Sequence, residues 1–284
     1  MMSHPEKEVL PPQWEALART FVQAERIFCF EDDSDLPITA RKFSSQDAHE
    51  LQLRLLPNRP PHVPGYDLVA VSYPAAIVGG DHFNFCPVGG DKVGILIFDV
   101  SGKGPPAALV AARLRSIFRT QSWGNRDVRD VLSRAHAFLC RILPPAHFVT
   151  AIYGILDPKS RQFSFARAGH EPLLHVHAGQ ENTTEVEMHA PMGLPLGVGT
   201  HTEFLELLET QTLQLERGDR LLFFTDGLTE ARDALANEFG MERIIMTLRA
   251  SQGDDIPLLC DTVARFCEGQ APHDDLTLLS LSVR

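Results

Sequence analysis

The rhythm of apolar positions changes along the chain. Over residues 14–30, Leu17, Phe21, Ala24 and Ile27 recur at roughly helical spacing. A polar, acidic stretch, residues 31–35, follows it. A second helical pattern, residues 45–56, sets Leu51 and Leu55 on one face, with Ser45 and Asp47 able to cap it and Pro57 ending it. Residues 57–64 carry four prolines and form a stiff, extended connector. From Tyr66 onward the pattern becomes strand-like. Leu68, Ala70 and Ser72 alternate with Asp67, Val69 and Val71, and an extended stretch resumes at 82–86 after Gly79-Gly80. Gly89-Gly90-Asp91-Lys92 signals a hairpin, and the apolar run 93–100 predicts a strand buried on both faces. Helices are predicted over 107–120 and 128–142, the first opened by Pro105-Pro106. Strands are predicted at 149–156, 162–168, 173–177, 204–208, 212–215 and 220–225, then helices at 242–251 and 256–267, and a last strand at 277–283. Runs of strands, then helices, then strands, with no regular βαβ alternation, indicate an α+β domain with antiparallel sheets.

Composition narrows the partners. With 284 residues and 44% hydrophobic content the chain can bury a full core. A net charge of −11 argues against nucleic acid and against an anionic membrane surface, and a phosphorylated substrate would need metal ions to overcome the same repulsion. The five cysteines are odd in number and scattered, without a CxxC pair, which fits reduced thiols and a cytoplasmic location. The first residues lack the apolar core of a signal peptide, and no apolar run is long enough to span a bilayer.

The candidate chemistry lies in four segments, VGGDHFNF, IFDVSGKGPPAALVAA, FFTDGLTEA and HDDLTLLSL. They place Asp81, Asp99, Asp226 and Asp274 where strands meet turns. A carboxylate cluster repels itself and is costly to bury unpaired. Hard divalent cations relieve that cost, and oxygen ligands suit magnesium or manganese. Two ions about 3.5–4 Å apart could hold a water as hydroxide for in-line attack on phosphorus. Ser101-Gly102-Lys103-Gly104 is not a phosphate loop, because the required glycine spacing is missing. Lys103 reads as a solvated loop lysine and His170 as a hydrogen-bonding histidine. His273 reads as surface, with proton donation to a leaving oxygen the lesser alternative. Glu230 and Arg232 read as helix-start and solvated positions.

These segments, in this order, resemble the SpoIIE-type branch of the metal-dependent serine/threonine protein phosphatases, the PPM family that includes RsbU-like regulators. The PGYD, AGHEPLL and GLPLG segments match as well, so the resemblance runs from about Leu55 to the end. It implies two packed antiparallel β-sheets flanked by helices, an αββα sandwich, with two Mn²⁺ or Mg²⁺ ions at the sheets' edges. Carried onto this chain, Asp99 bridges both metals and the Val100 carbonyl completes one, Asp226 and Asp274 hold the second, and Asp81 acts on the first. Asp275 is the less favoured member of its pair. The implied function is hydrolysis of phosphoserine or phosphothreonine on a partner protein by a metal-bridging hydroxide, the partner being a phosphorylated STAS-type anti-anti-sigma factor. One departure stands out. Asn84 occupies the position of the second acid in GGDxxD. It motivates an alternative, a catalytically weak or inactive regulatory binding module of the same fold. The expected division is a helical N-terminal extension over residues 1–60, available for regulation or for homodimer formation, and a phosphatase domain over 61–284.

Overall fold

The computed structural model describes residues 52, 56–57, 59–178, 184–270 and 272–284. The helix predicted over 14–30, Cys29, and most of the helix predicted over 45–56 lie outside the described residues.

Ten strands form two five-stranded sheets. In chain order they are β1 (Tyr66–Tyr73), β2 (His82–Gly89), β3 (Lys92–Val100), β4 (Val149–Asp157), β5 (Gln162–Ala168), β6 (Leu173–Val176), β7 (Val186–His189), β8 (Thr210–Gln214), β9 (Arg220–Phe224) and β10 (Leu276–Val283). One sheet has the order β1-β10-β9-β6-β7 and the other β2-β3-β4-β5-β8, and neighbouring strands in both run antiparallel. Among the described residues, six helices cover them: α1 (Pro105–Ser122), α2 (Val128–Ile142), α3 (His201–Leu207), α4 (Asp226–Thr229), α5 (Gly240–Ala250) and α6 (Asp255–Cys267).

Side-chain alternation sorts the core into three layers. Phe83, Phe85, Ile95 and Ile97 meet Leu221, Phe223, Leu279 and Leu281 between the sheets. Leu96, Phe98 and Tyr153 point the other way and pack beneath α1 and α2 through Leu114, Phe118, Leu132 and Leu139. Leu222, Phe224 and Leu278 do the same beneath α5 and α6 through Ile244, Leu248, Leu259 and Val263. The result is the expected helix–sheet–sheet–helix sandwich. The β3 segment is buried along most of its length, as its apolar run predicts.

One predicted strand is a helix instead. Residues 204–208 read as extended, yet they fall in and just after α3. Thr200 and Glu203 form a reciprocal capping box, with the Glu203 amide donating to Thr200 Oγ1 and the Thr200 amide donating to Glu203 Oε2. Phe204 and Leu208, four residues apart, then share one buried face against α2. The short strand β7 and the single turn α4 had too few residues to register as periodic patterns.

Candidate active site

Antiparallel register explains how the remote acids meet. In one sheet His82 pairs with Phe98, so Asp81 at the start of β2 lies beside Asp99 near the end of β3. In the other, Leu278 pairs with Phe224, and the Thr225 amide donates to the Thr277 carbonyl. That puts Asp226, just past β9, beside Asp274 and Asp275, just before β10. Both pairs stand at the same end of the sandwich, one on each sheet.

Thr225 joins them. Its hydroxyl donates to Asp81 Oδ2 at 2.6 Å and accepts from the Thr277 amide at 2.9 Å. Asp275 is committed to the backbone, accepting from the Ala75 amide at 2.8 Å and the Gly80 amide at 2.7 Å. It clamps the loop that carries Asp81. Asp274 accepts at Oδ2 from Lys103 Nζ at 2.8 Å, and the same ammonium donates to the His273 carbonyl. Lys103 is the exposed loop lysine expected, and it also pairs with Asp274, because the loop before α1 turns toward β10. His273 contributes its main chain to that contact, and its ring is on an exposed residue.

Two glycines permit the close approach. A Cβ on Gly80 would lie 2.7 Å from the Val100 carbonyl oxygen and 3.3 Å from Asp99 Oδ1. A Cβ on Gly227 would lie 1.9 Å from the Asp275 carbonyl oxygen. Both contacts are tighter than any side chain allows.

The electrostatics follow from this crowding. Burial pushes the Asp81 carboxyl well up, and the charge of Asp99 adds to it, while the Thr225 hydroxyl works the other way. Asp99 is raised to about 7, first by burial and then by the Asp226 charge, with a hydrogen bond to Asp81 partly offsetting them. Asp226 is raised by burial and by Glu230 and Asp274, and Glu171 is raised by burial and by Asp226. Among the described residues, no three of these carboxylates bring oxygens within 4.8 Å of one another, the spread expected of groups that repel. The donors are all oxygen: Asp81, Asp99, Asp226 and Asp274, with the Val100 carbonyl alongside. That set fits a hard divalent cation such as magnesium or manganese, which would remove the repulsion.

Sequence reasoning missed Thr225, Glu171 and the clamping role of Asp275. Thr225 directly precedes Asp226, but a threonine in a strand gives no sign of which carboxylate it will meet. Glu230 ends α4 rather than starting a helix, and faces Asp226. Arg232 pairs with Glu238. His170 is buried, its Nδ1 bonded to Thr150 Oγ1 at 2.8 Å, and burial holds it neutral with a pKa lowered to about 3. Asn84 is buried on the α1 side of β2, the face shared with Cys86, away from the inter-sheet face of Phe83 and Phe85.

Comparison with known proteins agrees with this fold. The chain is 27% identical over 237 residues to the phosphoserine phosphatase RsbU of Bacillus subtilis, covering 82% of this chain and 68% of that protein. It is 25% identical to Protein IcfG of Synechocystis, of whose length it spans 41%. The SiaA-PP2C domain of Pseudomonas aeruginosa superposes with a TM-score of 0.70 at 23% identity, over 84% of this chain and 96% of that one. RsbX in complex with magnesium superposes with a TM-score of 0.59 at 16% identity, over 79% of this chain and 98% of that one. The fold is thus that of the PP2C-type phosphatases. Residues 89–284 match the family model described as Stage II sporulation protein E (SpoIIE), and the chain belongs to that family.

Proposed function

We propose that the chain is a metal-dependent protein-serine/threonine phosphatase of the cytoplasm. Asp81, Asp99, Asp226 and Asp274, with the Val100 carbonyl, would hold two divalent ions, magnesium or manganese. The observation that carries this reading is the convergence of acids from two sheets onto one rim, where burial and then their own repulsion make them costly to keep ionised. Bound divalent ions would neutralise the acids, polarise a phosphoryl group and acidify water.

The chain's own residues supply the positioning. Thr225 fixes the Asp81 carboxylate. Asp275 locks the Ala75 and Gly80 amides and so aims the Asp81 loop. Lys103 neutralises Asp274. The substrate class is a phosphoserine- or phosphothreonine-bearing protein, with a phosphorylated STAS-type anti-anti-sigma factor as the partner.

The test is phosphate release from a phosphoserine-bearing STAS protein. Release should stop on chelation with EDTA and return with added manganese or magnesium. Release indifferent to the chelator overturns the metal-dependent reading. Ion binding by calorimetry without any release would favour the binding-module alternative, whose motivation is Asn84.

The proposed division places residues 1–60 as a regulatory extension and 61–284 as the phosphatase domain, with the N-terminal helices available to pair two chains. Gln52 crosses this boundary. Its side-chain amide donates to the Gly79 carbonyl at 2.6 Å and accepts from the Gly79 amide at 2.9 Å, two residues before Asp81. Any movement of that segment reaches the Asp81 loop. Replacing Gln52 with alanine should lower kcat by about tenfold, the scale of outer-shell partners of a metal site. Steady-state kinetics on the full chain provides the check, and unchanged kcat removes Gln52 from the regulatory route.

A further inference from the structure

A second cluster of metal-ligating side chains stands at the other end of the sandwich. β9 runs from Arg220 to Phe224, with the acidic rim beyond Phe224 and this cluster beside the Arg220 end. On the β6–β7 hairpin His175 lies directly opposite Glu187, and His189 follows two residues along β7 on the same face. His177 continues that face beyond β6. Ligand atoms of His175, His177 and Glu187 all fall within 4.8 Å of one another. His177 Nε2 is 3.2 Å from Glu187 Oε2, and His189 Nε2 is 3.6 Å from the same oxygen.

Two of these rings are already oriented from behind. Asp219 Oδ2 lies 3.0 Å from His175 Nε2, leaving Nδ1 for another partner. The amides of Glu216 and Ala178 hold that aspartate in turn. The Gln211 side chain, from β8 in the opposite sheet, lies 2.9 Å from His189 Nδ1. The Gln211 amide nitrogen donates to Nδ1, so His189 Nε2–H is directed at Glu187. His189 is 5% exposed, and its Nε2 is buried with no hydrogen-bond partner. His175, with one ring nitrogen held by the Asp219 carboxylate and the other left over, has the arrangement that ligating histidines adopt.

We propose that the inner face of the β6–β7 hairpin is a second metal site, binding a zinc-class transition ion through His175, His177 and Glu187, with His189 steadying the carboxylate. Its donors differ in kind from those of the rim. Imidazole with one carboxylate selects zinc, copper or nickel, whereas an all-oxygen set selects magnesium or manganese. His177 and Glu187 are partly exposed and give the ion a way in. Once bound, the ion ties the edge strand β7 to β6 and, through Gln211, to β8 of the facing sheet. The site is structural or regulatory, remote from the phosphoryl chemistry.

The test titrates the full chain with Zn²⁺ by calorimetry in saturating magnesium, with Co²⁺ as a spectroscopic stand-in. One further ion per chain is expected, with cobalt bands of a four-coordinate nitrogen–oxygen site and a zinc-dependent rise in Tm. His177→Ala and Glu187→Gln change partly exposed positions and should fold. Each should weaken zinc binding by about tenfold or more. Asp99→Asn should leave zinc binding intact, which separates this site from the rim. Absence of zinc binding in magnesium-saturated protein overturns the proposal, as does affinity unchanged in both hairpin variants.

Discussion

Asp99→Asn is expected to cut phosphate release by about 10²–10³-fold, the scale of removing one electrostatic anchor from a transition state. Asp99 stands between the other acids. It hydrogen-bonds with Asp81, and its charge interacts with Asp226 and Asp274. The amide is nearly isosteric, so the fold should survive; circular dichroism and a melting curve establish that before kinetics are compared. Turnover close to wild type would remove Asp99 from the mechanism. The same substitution carries a pH signature in metal-free protein. The Asp99 carboxyl is raised in the folded chain from 3.8 to about 7. A raised acid binds its proton more tightly when folded, so ionising it opposes folding. That burden is absent below about 4 and fully present above about 7. Metal-free wild type should therefore lose stability as pH rises through this window, and Asp99→Asn should flatten the loss. Melting temperatures between pH 4 and 8, with and without magnesium, measure it, and the ion should restore stability at the alkaline end.

Gly227→Ala should be almost as damaging, for a steric reason. The added methyl would sit 1.9 Å from the Asp275 carbonyl oxygen and 3.4 Å from that of Asp274. The obstacle is main chain, which no rotamer change relieves. Either α4 or the segment before β10 must shift, and each carries an acid of the rim. A displacement of about 1 Å at a catalytic constellation costs about a hundredfold in rate. Overpacking of this kind costs about 1–3 kcal/mol in stability. The check is kcat/KM beside a denaturant melt; wild-type values for both would show that the rim tolerates the shift.

Much of this architecture could be read from the sequence because its elements are long and one-sided. The helix predicted over 128–142 coincides with α2, whose apolar stripe and Asp127 cap leave little ambiguity. The β3 strand announced itself by an unbroken apolar run. Residues 204–208 failed for the opposite reason, since five residues cannot distinguish a period of two from one of 3.6, and the capping box three residues upstream decided the outcome. The four aspartates stood out because each adjoins a turn beside a strand. Their second layer did not. Thr225, Asp275, Lys103 and Gln52 act through contacts spanning 27 to 200 residues, set by register and loop direction rather than by local pattern. The histidines of the β6–β7 hairpin were hidden likewise, since alternation on one strand shows a shared face but not what lies across it.

The acids of the rim are divided between two plates, Asp81 and Asp99 on one and Asp226 and Asp274 on the other. The plates meet through a greasy seam of phenylalanine and aliphatic side chains, and Thr225 is a polar rivet from one to the other. Their spacing is therefore a gauge of how the plates slide. A substitution in that seam would therefore reach the spacing of the acids without touching a single one of them.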